Sequence, residues 1–165
     1  MLKVNGDAYI DDSGVKISDL INRIKSLEKG RASISINPLG DISINVPSDW
    51  GHVRVPCTQI KEIKKNDVLN HNNDCVNVKK SGYYLVSATI NVSSSYDVSC
   101  IIRSDYLGEI RLCDAGTAHG MINACVPPTL VYLNAGDNVS LGFRAEKIGT
   151  YLCRGSRSIL TVTEV

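Results

Sequence analysis

A chain of 165 residues has room for one substantial domain and a small appendage, and a net charge of +1 gives it no general pull on nucleic acid or anionic membrane. No run is long and apolar enough to cross a bilayer, so membrane insertion is not expected. Met1-Leu2-Lys3-Val4-Asn5-Gly6-Asp7 lacks the charged and apolar regions of a secretory signal, which sets the expectation of a protein made and folded in a cytosol.

The first segment, residues 1–30, holds a short extended piece, Asp7–Asp11, and then a helix that opens at Gly14. Ile17, Leu20, Ile24 and Leu27 recur with alternating gaps of three and four, the spacing of a coiled-coil seam, and Ile21 widens it on one side. The rest of the helix is polar, and Gly30 stops it as a left-handed cap does. Two heptads are too short to be stable unaided or to set the number of chains. The segment is expected to attach the chain to a larger assembly and to align its copies; the other reading is an amphipathic helix docked on its own domain.

Residues 31–48 read as a β-hairpin neck: Ala32–Asn37 and Ile42–Val46 alternate apolar with small polar residues about a Pro38-Leu39-Gly40-Asp41 turn. A lone hairpin is not stable in water, so its Ile34, Ile36, Ile42, Ile44 and Val46 face needs either the head of the same chain or its equivalents about a symmetry axis. From residue 49 to 165 the chain is strand and turn. Val53, Val55 and Cys57 alternate with polar residues; Tyr83–Val92 puts its even positions on one apolar face; Val98, Cys100 and Ile102, then Ile110 and Leu112, Leu130–Leu133, Val139, Leu141 and Phe143 follow, and Ser158–Val165 closes the chain. Short strands at near-regular spacing, broken by Gly, Asn, Asp and Pro, predict a mainly β fold, an antiparallel jelly-roll sandwich.

Asp74–Ala88 resembles the strand, Gly-Tyr turn and following strand of the jelly-roll heads shared by complement globular heads and tumour necrosis factors. Leu130–Leu141 resembles the same family's leucine, Gly-Asp, valine element, and the strand from Ser158 fits its final central strand. The resemblance covers roughly residues 50–165 and implies a compact homotrimer whose apolar faces meet on a threefold axis. The departure is aromatic poverty, with one Phe (Phe143) and one Trp (Trp50). A short N-terminal peg, a trimeric coil and such a head together resemble a bacteriophage tail, baseplate or fibre protein.

No catalytic constellation emerges, and no enzyme is expected. The histidines are His52, His71 and His119, and no G-x-S-x-G motif or phosphate-cradling loop occurs. Asp114 and His119 share a Gly-rich stretch that reads as a surface loop. The six cysteines, Cys57, Cys75, Cys100, Cys113, Cys125 and Cys153, have no tight spacing and read as mostly buried free thiols. His71 and Cys75 have no second pair to complete a zinc site, so neither metal nor cofactor is expected. Lys61, Lys64 and Lys65 lack aromatic interleaving and read as a solvated edge rather than a nucleic-acid site. Asp137 reads as a turn former rather than a calcium ligand.

A saccharide site needs planar apolar faces beside hydrogen-bonding groups. The turn-rich candidates are Tyr96 with Asp97, Arg103 with Asp105 and Tyr106, Arg144 with Glu146, and Trp50 with His52. The expectation is a virion structural protein, assembled in the host cytoplasm, that docks to other tail or baseplate proteins through its N-terminal segment and binds a host cell-wall saccharide through a homotrimeric head. The alternatives are an architectural head-fibre or spore-surface decoration without a specific ligand, and a trimeric signalling ligand, which the missing signal peptide disfavours.

Overall fold

The computed structural model describes residues 9–10, 15–19, 21–22, 30–114 and 120–165, and the chain divides into two units, Met1–Arg31 and Ala32–Val165. In the first, β1 (Tyr9–Ile10) pairs antiparallel with β2 (Val15–Lys16), and residues 17–19 and 21–22 are helical. Ile17 and Ile21 are 40% and 45% exposed, whereas the other seam positions, Leu20, Ile24 and Leu27, lie outside the described residues. Gly30 has φ 67°, the left-handed conformation expected of it.

The second unit is a sandwich of two antiparallel sheets. One runs β4 (Ile42–Val46), β14 (Gly149–Cys153), β9 (Gly82–Ser94), β15 (Ile159–Glu164), β3 (Ser33–Asn37) and β6 (Gln59–Lys64), with β12 (Gly120–Leu133) on the other edge of β9. The other runs β11 (Gly108–Asp114), β10 (Val98–Ser104), β13 (Asn138–Ala145), β8 (Cys75–Val78) and β7 (Leu69–Asn72), with β5 (Gly51–Arg54) also on β13. The 13-residue β9 organises the first sheet, because it is long enough for β14 (Cys153 opposite Val92) and β15 (Ile159 opposite Thr89) to share one of its edges in succession.

In β3, β9 and β15 every second residue along most of the strand faces the partner sheet, as a period of two requires. Ile34, Ile36, Tyr84, Val86, Ile90, Leu160 and Val162 meet Val76, Val78, Cys100, Ile102, Leu141 and Phe143 in one continuous core. Branched aliphatics fill the space that aromatics would otherwise take, and each contributes about 1.5–3 kcal/mol on full burial. The single Phe lies in this core, edge-to-face with Tyr151 at 5.9 Å. Tyr84 and Tyr151 bury their rings while their hydroxyls donate to carbonyls four residues back, Lys80 O at 2.5 Å and Lys147 O at 2.6 Å, so each also closes the turn that precedes its strand.

The neck expected at residues 31–48 is not a hairpin. β3 pairs with β15 and β6, β4 pairs with β14, and three strands of the same sheet separate them. The dry face of each is buried by the sandwich itself: Ile34, Ile36 and Val46 are fully buried, and Ile42 and Ile44 pack against the core. β12 begins ten residues earlier than the Leu130–Leu133 pattern suggests, because a register shift between Val126 and Thr129 accommodates Pro127 and Pro128 without breaking the pairing to β9. β6 is an exposed edge strand in which Lys61, Glu62 and Lys64 face water, a composition that discourages further strand addition.

Candidate functional site

The outward face of the seven-stranded sheet carries the side chains that alternate with the core. Over most of its area it is a lawn of hydroxyls, Ser33, Ser35, Ser87, Thr89, Thr161 and Thr163, with Ser35 and Thr161 bonded at 2.9 Å. At one end it turns apolar. Tyr132 sits opposite Tyr83 and Leu130 opposite Leu85, and the two tyrosine rings meet edge to face at 5.2 Å. Tyr83, Leu130, Tyr132 and the neighbouring Val165 are 58%, 59%, 47% and 52% exposed, a contiguous patch left open by the described residues. The strand pattern carried a signal for it, since Tyr83, Leu130 and Tyr132 are apolar or aromatic at positions where alternation calls for polar residues.

The nine candidate receptor-binding residues separate into three groups. Trp50, Tyr96, Asp97 and Glu146 gather at one end of the sandwich, where the Glu146 N–H donates to Asp97 O at 2.9 Å and the Trp50 N–H to Glu146 O at 3.2 Å. Trp50 is half exposed with φ 55°, so it is neither core nor in an ordinary strand conformation. Tyr96 projects over a shallow pocket rich in hydroxyls, lined also by Ser93, Ser95, Thr150 and Tyr151. Asp49 caps the same end, and its carboxyl is held below the usual carboxylate range by the Ile148 N–H at 2.9 Å, with Lys147 assisting.

His52, Arg103 and Arg144 meet on the open face of the six-stranded sheet. Arg103 Nη1 is 3.2 Å from His52 Nδ1, Arg144 is opposite His52 across the β5–β13 ladder, and Arg144 pairs with Glu109 at 3.6 Å. Burial holds His52 below the ordinary histidine pKa, and the two guanidiniums push in the same direction. Its ring lies over Gly142, where a Cβ would come within 2.8 Å of Nε2. Asp105 and Tyr106 lie at the opposite end of the sandwich from Trp50, where the Asn138 amide donates to the Asp105 carboxylate at 2.8 Å. The pairing of Arg103 with Asp105 and Tyr106, expected from sequence proximity, therefore divides between a face and an end.

That second end is held by a residue whose role the sequence understated. Asp137 is fully buried; it accepts the Ser104 hydroxyl at 2.6 Å and the Asp105 N–H at 3.1 Å, while Ser104 Oγ in turn accepts the Leu107 N–H at 3.0 Å. The Gly-Asp turn thus fastens the β10–β11 turn to the start of the neighbouring strand β13 in the same sheet rather than merely shaping its own loop.

The six cysteines stand outside any disulfide; Cys57, Cys75, Cys100 and Cys153 are buried, Cys113 is half-buried and Cys125 is exposed. Burial pushes Cys57 and Cys100 up to about 12. His71 and Cys75 are each engaged by backbone, Cys57 O at 2.8 Å and Asn72 O at 3.0 Å respectively, and the described residues contain no cluster of metal-ligating side chains. His119 and the side chain of Asp114 lie outside the described residues.

Two solved structures of murine APRIL, at pH 5.0 and pH 8.0, match with TM-scores of 0.64 and 0.63 at 13% and 14% identity, each match covering 82% of this chain and 99% of theirs. The chain has the tumour-necrosis-factor-like jelly-roll fold. At that identity the likeness speaks for architecture alone. No family model matches the sequence, and no curated protein matches it.

Proposed function

We propose that the chain is a homotrimeric receptor-binding protein of a bacteriophage tail, baseplate or fibre, with residues 1–30 docked to other virion proteins and the jelly roll presented to a host cell-wall saccharide. The observation that carries the reading is the patch of Tyr83, Leu130, Tyr132 and Val165, exposed among the described residues at one end of a largely polar sheet face. Covering these half-exposed side chains contributes about 1 kcal/mol each, and a second copy of the same chain is the occupant that a tumour-necrosis-factor-like sandwich suggests. Ile17 and Ile21, exposed on the N-terminal helical residues, give the same chain a second uncovered apolar surface. Three parallel copies satisfy both, and trimerisation turns weak single-site contacts with a saccharide into stable attachment.

Light scattering on the full chain at micromolar concentration tests the assembly: the expected mass is three times 17.9 kDa, and a clean monomer would overturn it. Tyr132→Asp is expected to dissociate the trimer, whereas Ile24→Asp splays the N-terminal helices and leaves the heads associated. Binding to host cell walls tests the second half of the proposal. A trimer that binds no cell wall would instead support an architectural decoration protein.

A further inference from the structure

β3 and β4 are separated by the Pro38–Asp41 turn, and β14 and β15 by Arg154–Ser158, at the same level of the sheet. The two turns are locked together. Arg154 Nη1 donates to Asp41 Oδ2 at 2.5 Å, the Gly155 N–H donates to Asp41 Oδ1 at 3.2 Å, and Asn37 Nδ2 donates to Gly155 O at 3.4 Å. Gly155 packs so closely on the Gly40 carbonyl that no side chain fits there. Between this double wall and β12 lies a cavity of about 290 Å³ lined by Asp41, Asn91, Met121, Arg154, Ser156 and Arg157.

The lining has a definite chemistry. Asn91 is fully buried at the cavity; its Nδ2 donates to Asn123 Oδ1 at 2.5 Å, while its Oδ1 has no partner among the described residues. A buried acceptor left unpaired costs roughly 1–3 kcal/mol, which a ligand donor recovers. Both Asp41 oxygens are taken by Arg154 and Gly155, so Asp41 offers little to a ligand. The Arg157 guanidinium has no ion-pair or side-chain hydrogen-bond partner among the described residues and remains available as a planar fork for an anion. Met121, 39% exposed, supplies an apolar surface, and the Ser156 hydroxyl a further hydrogen-bonding group.

We infer that this cavity binds a monosaccharide unit carrying one anionic group, with the anion on Arg157, a ring hydroxyl donating to Asn91 Oδ1, and the C–H face of the ring against Met121. A simple anion leaves Asn91 unanswered, and a neutral sugar leaves Arg157 without a counter-charge. The volume is at the small end of ligand sites, suited to one sugar ring rather than a chain. Asn91 is eight positions along β9 from Tyr83, roughly 25 Å at the rise of a strand, so the cavity is separate from the apolar patch. The inference rests on the saccharide part of the proposed function and not on trimerisation.

Calorimetric titration of the full chain with D-glucuronate, D-glucose 6-phosphate, D-glucose and sodium sulfate tests it. At least one of the two anionic sugars is expected to bind at least tenfold more tightly than glucose and than sulfate, the better of the two distinguishing carboxylate from phosphate. Arg157→Gln and Ser156→Ala alter exposed side chains and keep the fold. The first is expected to abolish the preference for the anionic sugar over glucose, and the second to weaken binding a few-fold. Sulfate binding as tight as that of the best sugar, an anionic-sugar affinity unchanged in Arg157→Gln, or no binding of either anionic sugar to the folded chain would each overturn the assignment. A monomer that binds glucuronate upholds the cavity and removes the trimer; a trimer that binds neither anionic sugar overturns the cavity alone.

Discussion

Replacing Asp137 with alanine removes the acceptor for two well-formed hydrogen bonds, from the Ser104 hydroxyl at 2.6 Å and the Asp105 N–H at 3.1 Å, plus a longer one from the Tyr106 N–H at 3.4 Å. Hydrogen bonds to a carboxylate are worth about 1.5–3 kcal/mol each, and donors stranded in a fully buried site regain no water. Counting the two short bonds, Asp137→Ala is expected to cost about 3–6 kcal/mol, a large share of the roughly 5–15 kcal/mol that holds a domain together. Asp137→Asn keeps the shape and an acceptor for the backbone amide and forfeits only the bond from the Ser104 hydroxyl, whose oxygen already accepts the Tyr106 and Leu107 N–H groups, so its cost is expected to be about 1–2 kcal/mol. Urea denaturation at one fixed protomer concentration measures both, since the stability of an oligomer depends on that concentration. The thermal midpoint of the alanine variant should fall by roughly 10 °C. A cost within about 1 kcal/mol of the asparagine variant would refute the argument that these contacts fasten the β10–β11 turn.

Gly155→Ala should destabilise by about 1–3 kcal/mol, because the added Cβ meets backbone on every side, Gly40 C at 2.6 Å and Pro38 O at 2.9 Å among it, and a thermal melt indistinguishable from the parent would refute the close approach of the two turns. His52 is held below its usual value of 6.5 by burial first and then by Arg103 and Arg144, so the unfolded chain binds more protons than the native one as pH falls through that value. The stability this confers is fully present above pH 6.5 and is lost on acidification towards the native pKa; urea midpoints across that range should show the loss, and His52→Gln should flatten it. Cys57 and Cys100, both pushed up to about 12 by burial, should resist a thiol reagent at pH 8 until the chain unfolds, and rapid labelling of either in the native protein would contradict their placement in the core.

Alternation is a local property, and what it alone controls was legible. The even positions of Tyr84–Val92 are buried because consecutive side chains of a strand must point to opposite faces, whatever strand lies beside it. The Gly-Asp turn was legible as a turn, but not that its carboxylate ties down a turn more than thirty positions away in the chain. Lys61 and Lys64 similarly announced an exposed edge, because charge on a strand is tolerated where no neighbour follows.

Pairing is a different matter. Ile34, Ile36 and Val46 say that β3 and β4 each have a face to bury, but not which strand lies alongside, and the partner of β3 turned out to be the C-terminal β15 rather than β4. Leu130–Leu133 marked only the last part of β12, because the bulge that lets the strand run through Pro127 and Pro128 depends on the pairing with β9. The same holds for sites. Arg103 and Asp105 are neighbours in sequence whose side chains engage different partners, His52 and Asn138, while Asp41, Asn91, Met121, Arg154 and Arg157 come from distant segments and share one cavity. Sequence by itself determined the sandwich, its two faces and its turn chemistry, since these depend on residues a few positions apart. Tertiary structure decided the strand order, the uncovered patch and the cavity, since these depend on which distant segments the closure of the sheets brings side by side.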